Sequence, residues 1–228
     1  MITVWRIALD AARPPDEASR AILSEAERAR AARFLRESDR NRWLHGHVAL
    51  RRILGEALGV SPGTIAYETG PHGKPQLASP TASGVEFNFS DSGEFALAAV
   101  TSDGAIGVDI EACRPQPDLA LIARSHFSAE EATALLSLPE GEQHAAFYRI
   151  WTRKEAYLKA LGAGLSYGLG RFAMTHDATD VRLLHVDGDA AEAADWSVLR
   201  IAVPSGYDGA LAARWPGASV QSKEWRGD

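Results

Sequence analysis

Two prolines split this chain into halves that each mix strand and helix patterns, and that alternation restricts the fold more than any other feature of the sequence. Pro115 and Pro117 mark a linker near residues 112–117, since proline fixes φ and removes a backbone donor. Ahead of it, residues 2–9 alternate as a strand does. Residues 19–37 read as helix, with Ser24 and Glu27 spaced as a capping box. A second helix runs from Asp39 to Leu58, stopped by Gly59 and the breaker Ser61-Pro62-Gly63. A short strand over Thr64 to Tyr67 leads into a Gly/Pro-rich loop from Gly70 to Pro80. Strands follow over 85–89, 94–101 and 105–110, the last two joined by a hairpin turn at Ser102-Asp103-Gly104.

Behind the linker the pattern predicts helices over 118–125, 128–137 and 141–161, the last ended by Gly162. Strands are expected within 181–186, 196–203 and 209–214, then a loosely ordered tail after Trp215. No literal repeat is visible. The expectation is nonetheless an α+β chain of two halves, residues 1–112 and 113–228.

Composition narrows the function. A formal net charge of −6 argues against a nucleic-acid coat, which needs a strongly basic surface. The single Cys113 excludes an intramolecular disulfide and a cysteine zinc site, and suits a reducing, cytoplasmic setting. The N-terminal run meets Asp10 and lacks the basic start of a signal peptide. No stretch approaches the ~20 apolar residues of a membrane span. Basic residues are divided unevenly, as 20 arginines against Lys74, Lys154, Lys159 and Lys223. A lysine is therefore informative here, because its compact ammonium differs chemically from a guanidinium fork.

Four segments carry candidate chemistry. In Gly107-Val108-Asp109-Ile110-Glu111, period two puts Asp109 and Glu111 on one face and Val108 and Ile110 toward a core. Paired carboxylates at a strand end repel unless neutralised, and a hard cation such as Mg²⁺ takes such oxygens; a solvated strand edge would also explain them. In the helix from Trp151 to Leu161, Glu155 and Lys159 share a face with Trp151 one turn earlier. By itself that is an ordinary helical ion pair beside a core tryptophan. The loop Gly70-Pro71-His72-Gly73-Lys74-Pro75 can bring backbone and an ammonium to a phosphate, or be a plain turn. Eight arginines between Arg28 and Arg52 form an anion-attracting stretch, most of it solvated helix face. Three of the four lysines fall in the second and third segments.

Together the segments resemble the Sfp type of phosphopantetheinyl transferase, in order and over most of the chain. RFLRESDRNRWLHGHVALRRIL is similar to that family's N-terminal helices, HGKP to its Y-G-K-P loop, and FNFSDSG to its F-N-x-S-H-S-G segment. GVDIE and WTRKEAYLKALGAGL resemble its two signature motifs, about 40 residues apart. The length is that of the family's single-chain pseudodimeric type, which implies a monomer with coenzyme A bound between two similar α+β halves.

The resemblance also implies site residues. Asp109, Glu111 and Glu155 match magnesium-binding acids, with Mn²⁺ an alternative ion. Lys159 matches a lysine on the phosphates, and Gly73, Lys74 and Pro75 match the loop along the coenzyme. Arg30 and Arg42 match basic positions near the adenosine 3'-phosphate, and Ser90 a serine at that end. Asp91 stands where the family usually has His, which calls for an arginine nearby to neutralise it. Glu155 and Lys159 are then the catalytic pair. The implied partners are coenzyme A and apo carrier proteins of fatty-acid, polyketide or nonribosomal-peptide systems. Residues 118–127, with Arg124 and Phe127, are a candidate docking patch for the carrier. Two alternatives stand beside this reading: a non-catalytic coenzyme A-binding protein, favoured by Asp91, and an unrelated Mg²⁺-dependent nucleotide hydrolase.

Overall fold

The computed structural model describes residues 1–70, 72–78 and 84–227. Strand β1 (Ile2–Ala8) is followed by helices α1 (Glu17–Ala21), α2 (Glu25–Ala31) and α3 (Glu37–Leu58). A single 3-10 turn, Pro62–Thr64, leads into the ribbon of β2 (Tyr67–Thr69) and β3 (Pro75–Leu77), then β4 (Glu86–Ser92), β5 (Phe95–Thr101) and β6 (Ile106–Ala112). Next come α4 (Leu119–His126), α5 (Ala129–Ser137) and α6 (Glu140–Leu161). After two 3-10 turns come β7 (Phe172–Met174), β8 (Leu183–Val186), α7 (Ala190–Ala194), β9 (Ser197–Arg200), β10 (Tyr207–Ala213) and β11 (Val220–Trp225).

The main sheets have the orders β11-β1-β5-β4 and β6-β10-β9, so the fold is α+β as expected. Ile2, Val4, Leu97 and Ala99 of one sheet pack against Ile106, Val108, Ile110 and Leu211 of the other. The outer faces are covered by α3 and α6 respectively. At roughly 1.5–3 kcal/mol for each large aliphatic side chain fully buried, this central layer is a major source of cohesion between the halves.

Beneath the two sheets lies a repeat in structure. Each part runs strand, two short helices, a 22-residue helix, one 3-10 turn in the first part or two in the second, and a two-stranded ribbon. Both long helices end on a left-handed glycine, Gly59 at φ 67° and Gly162 at φ 66°. A residue without a Cβ takes that conformation at no steric cost. The helix before each long helix opens with a capping box, Ser24 with Glu27 and Ser128 with Glu131.

Several elements depart from the sequence expectation. The helical pattern over 19–37 is cut into α1 and α2, because Ser24 caps a new start within it. Thr64–Tyr67 is not a strand; Thr64 ends a 3-10 turn and Tyr67 begins β2. The loop from Gly70 contains β3, while Pro71, Ser79 and Pro80 lie outside the described residues. Ser102-Asp103-Gly104 does not close a hairpin: β5 pairs with β1 and β4, whereas β6 crosses to β10. The tail is ordered, since β11 runs parallel to β1 from Ile2↔Val220 to Ile7↔Trp225. Its outward polar residues mask the strand signal, and Arg6 pairs with Glu224 across it. Strand pairing thus crosses residue 112 twice, once through β6 and once through β11.

Candidate active site

Strand β6 positions the two acids. Val108 and Ile110 are fully buried between the sheets, so Asp109 and Glu111 face α6. Helix α6 can lie directly on β6 because residue 107 is glycine. A methyl group there would collide with the Ala156 carbonyl oxygen and the Ala160 amide nitrogen. That close approach carries Glu155 and Lys159 to the acids.

Backbone pairing does not join β4 to β6. Side chains of β4 bridge them instead: Asn88 Oδ1 accepts from the Val108 amide at 2.8 Å, and Ser90 Oγ donates to Asp109 Oδ1 at 2.8 Å. Ser92 Oγ donates to Glu111 Oε2 at 2.9 Å and accepts from the Ala112 amide at 3.1 Å. Asn88 and Ser92 are the positioning groups the sequence reading passed over. Their signal was the polar period two of Asn88, Ser90 and Ser92 on a strand whose other face carries Phe87 and Phe89.

Asp109 is 3% exposed. Its Oδ1 also takes the Lys159 ammonium at 2.6 Å, and that ammonium donates to Ser90 Oγ at 2.8 Å. Burial still raises its carboxyl above the usual range, against the pull of Lys159 and Ser90. Glu111 is raised by burial and by Asp109, which Ser92, Lys159 and the Trp151 indole only partly offset. Glu155 is raised by burial, then by Asp109 and Glu111, with Lys159 opposing. Three mutually repelling carboxylates and one ammonium thus share this place.

The donor set suits a hard divalent cation: carboxylate oxygens in a pocket short of positive charge, with Asp109 Oδ2 buried and lacking any hydrogen-bond partner. The side chains are not gathered around one point, however. Among the described residues no group of three or more His, Cys, Asp or Glu is arranged to hold a metal ion. Asp109 is engaged by Lys159 and Ser90, and Glu111 by Ser92.

Beside the acids lies a cavity of about 230 Å³, lined by His72–Pro75, Asn88, Phe89, Glu155, Lys159 and the turn after α6. Gly73, Lys74 and Pro75 therefore reach the same cleft as Glu155. Lys74 Nζ donates to the Ile106 carbonyl at 2.9 Å, and burial lowers its ammonium. Ser90 stands between Asp109 and Lys159. Asp91 presents an edge to solvent, but surrounding protein raises its carboxyl; Lys159 and Arg30 pull the other way without overcoming this. Arg30 is thus in electrostatic reach of Asp91. Arg42 is occupied at 3.2 Å by Asp39 of its own helix. Phe127 is buried against Phe147 and Trp151, whereas Asp118, Ala120, Leu121, Arg124, Ser125 and His126 of the 118–127 patch are exposed.

Fold and cleft together define an enzyme of two similar α+β halves with a cleft of acids and lysines between them. Residues 15–103 match the family model "4'-phosphopantetheinyl transferase, N-terminal", and residues 105–212 match "4'-phosphopantetheinyl transferase superfamily". HetI, a 4'-phosphopantetheinyl transferase of Nostoc sp., is 42% identical over 72% of this chain and 70% of its own. The transferase psf-1 of Bacillus pumilus is 40% identical over 71% of this chain and 67% of its own. Sfp of Bacillus subtilis is 32% identical over 74% of this chain and 70% of its own. The chain belongs to the 4'-phosphopantetheinyl transferases, of the Sfp type.

Proposed function

We propose that this enzyme transfers 4'-phosphopantetheine from coenzyme A to a serine of an apo carrier protein, with Mg²⁺, releasing adenosine 3',5'-bisphosphate. The observation that supports it most is that Glu155 and Lys159 share a cavity with Gly73, Lys74 and Pro75 while lying in electrostatic reach of Asp109 and Glu111. Asp109, Glu111 and Glu155 would hold the metal. When bound, it supplies charge stabilisation at the oxygens of the diphosphate.

The chain's own groups do the rest. Lys159 adds a cation at the diphosphate as charge builds on the leaving oxygen. The Glu155 side chain makes no hydrogen bond or ion pair among the described residues. Its raised carboxyl is therefore a suitable acceptor for the serine proton, directly or through water. Lys74, with backbone around Gly73 and Pro75, lines the pantetheine path. Arg30 answers Asp91 near the adenosine end, and Arg42 is the second basic group assigned there.

The substrate carriers belong to fatty-acid, polyketide or nonribosomal-peptide systems, and the enzyme acts as a cytoplasmic monomer. No helix is long and apolar enough to cross a membrane among the described residues. The halves 1–112 and 113–228 are proposed as its two units, although sheet membership of β6 favours placing the line at the turn 102–104. The test is mass spectrometry of apo carriers incubated with enzyme, Mg²⁺ and coenzyme A. One phosphopantetheine mass gained on a serine is the expected result; no gain on acyl, peptidyl or aryl carriers refutes the reading.

A further inference from the structure

We propose that Lys159 is the resident counter-ion of Asp109, held there by Ser90, and that a divalent cation binds by displacing it, so that metal and coenzyme bind interdependently. This rests on the reading of function above and deepens it. Three contacts close a triangle: Lys159 Nζ to Asp109 Oδ1 at 2.6 Å, Lys159 Nζ to Ser90 Oγ at 2.8 Å, and Ser90 Oγ to Asp109 Oδ1 at 2.8 Å. One carboxylate oxygen is thus doubly loaded, while Oδ2 is buried and bare.

The partners differ in freedom. The Asp109 side chain is 4% exposed on a central strand, and that of Lys159 is 29% exposed on a four-carbon stem. A buried carboxylate without a cation is costly, which accounts for the ammonium lying against it. An ammonium and a hard cation cannot share the Asp109 oxygens comfortably, because both are strongly hydrated positive charges. Metal entry therefore sends Lys159 outward, toward the cavity that it already lines. There it needs a new anion, and a diphosphate supplies one. Coenzyme thereby lowers the cost of freeing Asp109, and by linkage the metal strengthens coenzyme binding by the same factor.

The experiment is calorimetric titration of Mn²⁺ into the full-length protein, with and without coenzyme A, for the parent chain and for Lys159→Met and Lys159→Gln. In the parent, coenzyme A should tighten Mn²⁺ by about tenfold, within the usual range of coupling. Without coenzyme both variants should bind Mn²⁺ about fivefold or more tightly than the parent, and coenzyme should tighten it less than it does in the parent. Mn²⁺ affinity that is unchanged or weaker in both variants, with coenzyme A binding retained, overturns the exchange alone. A parent chain that binds neither Mn²⁺ nor coenzyme A overturns the functional reading beneath it.

Discussion

Divided at the turn 102–104, the two parts of the chain solve the same packing problem with different residues, and the difference falls at the proposed site. Both place a seven-residue strand under a 22-residue helix. Strand β1 turns Ile2 and Val4 to the shared central core, as β6 turns Ile106 and Val108. On its helix side β1 carries Trp5 and Ile7, packed against Leu50, Ile53 and Leu54 of α3. At the corresponding places β6 carries Asp109 and Glu111. The second part thus has carboxylates where the first has core.

A second contrast lies in how each long helix is pinned. Arg51 of α3 pairs with Glu27 at 2.8 Å and donates to the Pro62 and Ile65 carbonyls at 2.7 and 3.0 Å. Lys154 of α6 pairs with Glu131 at 2.7 Å and donates to the Leu169 and Phe172 carbonyls. Each cage ties a helix to the capping glutamate before it and the 3-10 turn after it. Burial pushes Glu27 up, yet the bonds from Arg51 and Ser24 leave it below the usual range. Burial lowers the Lys154 ammonium, while Glu131 pulls it back up. Only in the second part does the cage adjoin a residue proposed for catalysis, Glu155.

The largest expected effect comes from that neighbour. Glu155→Gln should reduce carrier modification by about 10²–10⁴-fold, measured by mass spectrometry, while calorimetric coenzyme A affinity changes only a few-fold. Equal losses in the two would make Glu155 a binding ligand and nothing more.

Next in size are the cages. Lys154→Met leaves Glu131 buried without its cation, a loss of about 3–5 kcal/mol. Thermal unfolding should then start roughly 10 °C lower, at 2–4 °C per kcal/mol for a chain of this length. Lys154→Arg copies the first half and should lose less than Lys154→Met. If the two lose equally, the cages are alike in position only.

The smallest effect concerns pH. Asp109, Glu111 and Glu155 all have carboxyls raised by the fold. Their favourable contribution to the metal-free fold is therefore full below the unfolded range near 4 and is lost as pH rises through the raised folded range. Metal-free Glu155→Gln should accordingly melt slightly above the parent at pH 7, by about 1–3 °C, with the gap closing toward pH 4. Differential scanning fluorimetry across that span is the check; an unchanged gap would mean the acids are not strained. Added Mg²⁺ should reverse the order at neutral pH.

Much of this was legible in the chain because it is local. Ser24 and Glu27, Gly59, Gly162 and the two signature segments act through hydrogen bonds and backbone angles of nearby residues, which spacing encodes. Period two alone put Asp109 and Glu111 on one face. The hairpin at 102–104 was misread because a turn states that the chain reverses, not which sheet the next strand joins. Strand β11 was missed because its hold on β1 is backbone pairing, to which polar side chains give no signal.

What the sequence determined by itself, then, was the α+β class, the glycine stops of the two long helices and the face that Asp109 and Glu111 share. Tertiary structure decided that Ser90 and Lys159 meet on Asp109, that β4 bridges to β6 through Asn88, Ser90 and Ser92, and that the two halves match cage for cage. Those contacts join residues about 20 to 70 positions apart, and at such separations only packing of the whole chain fixes which side chains meet.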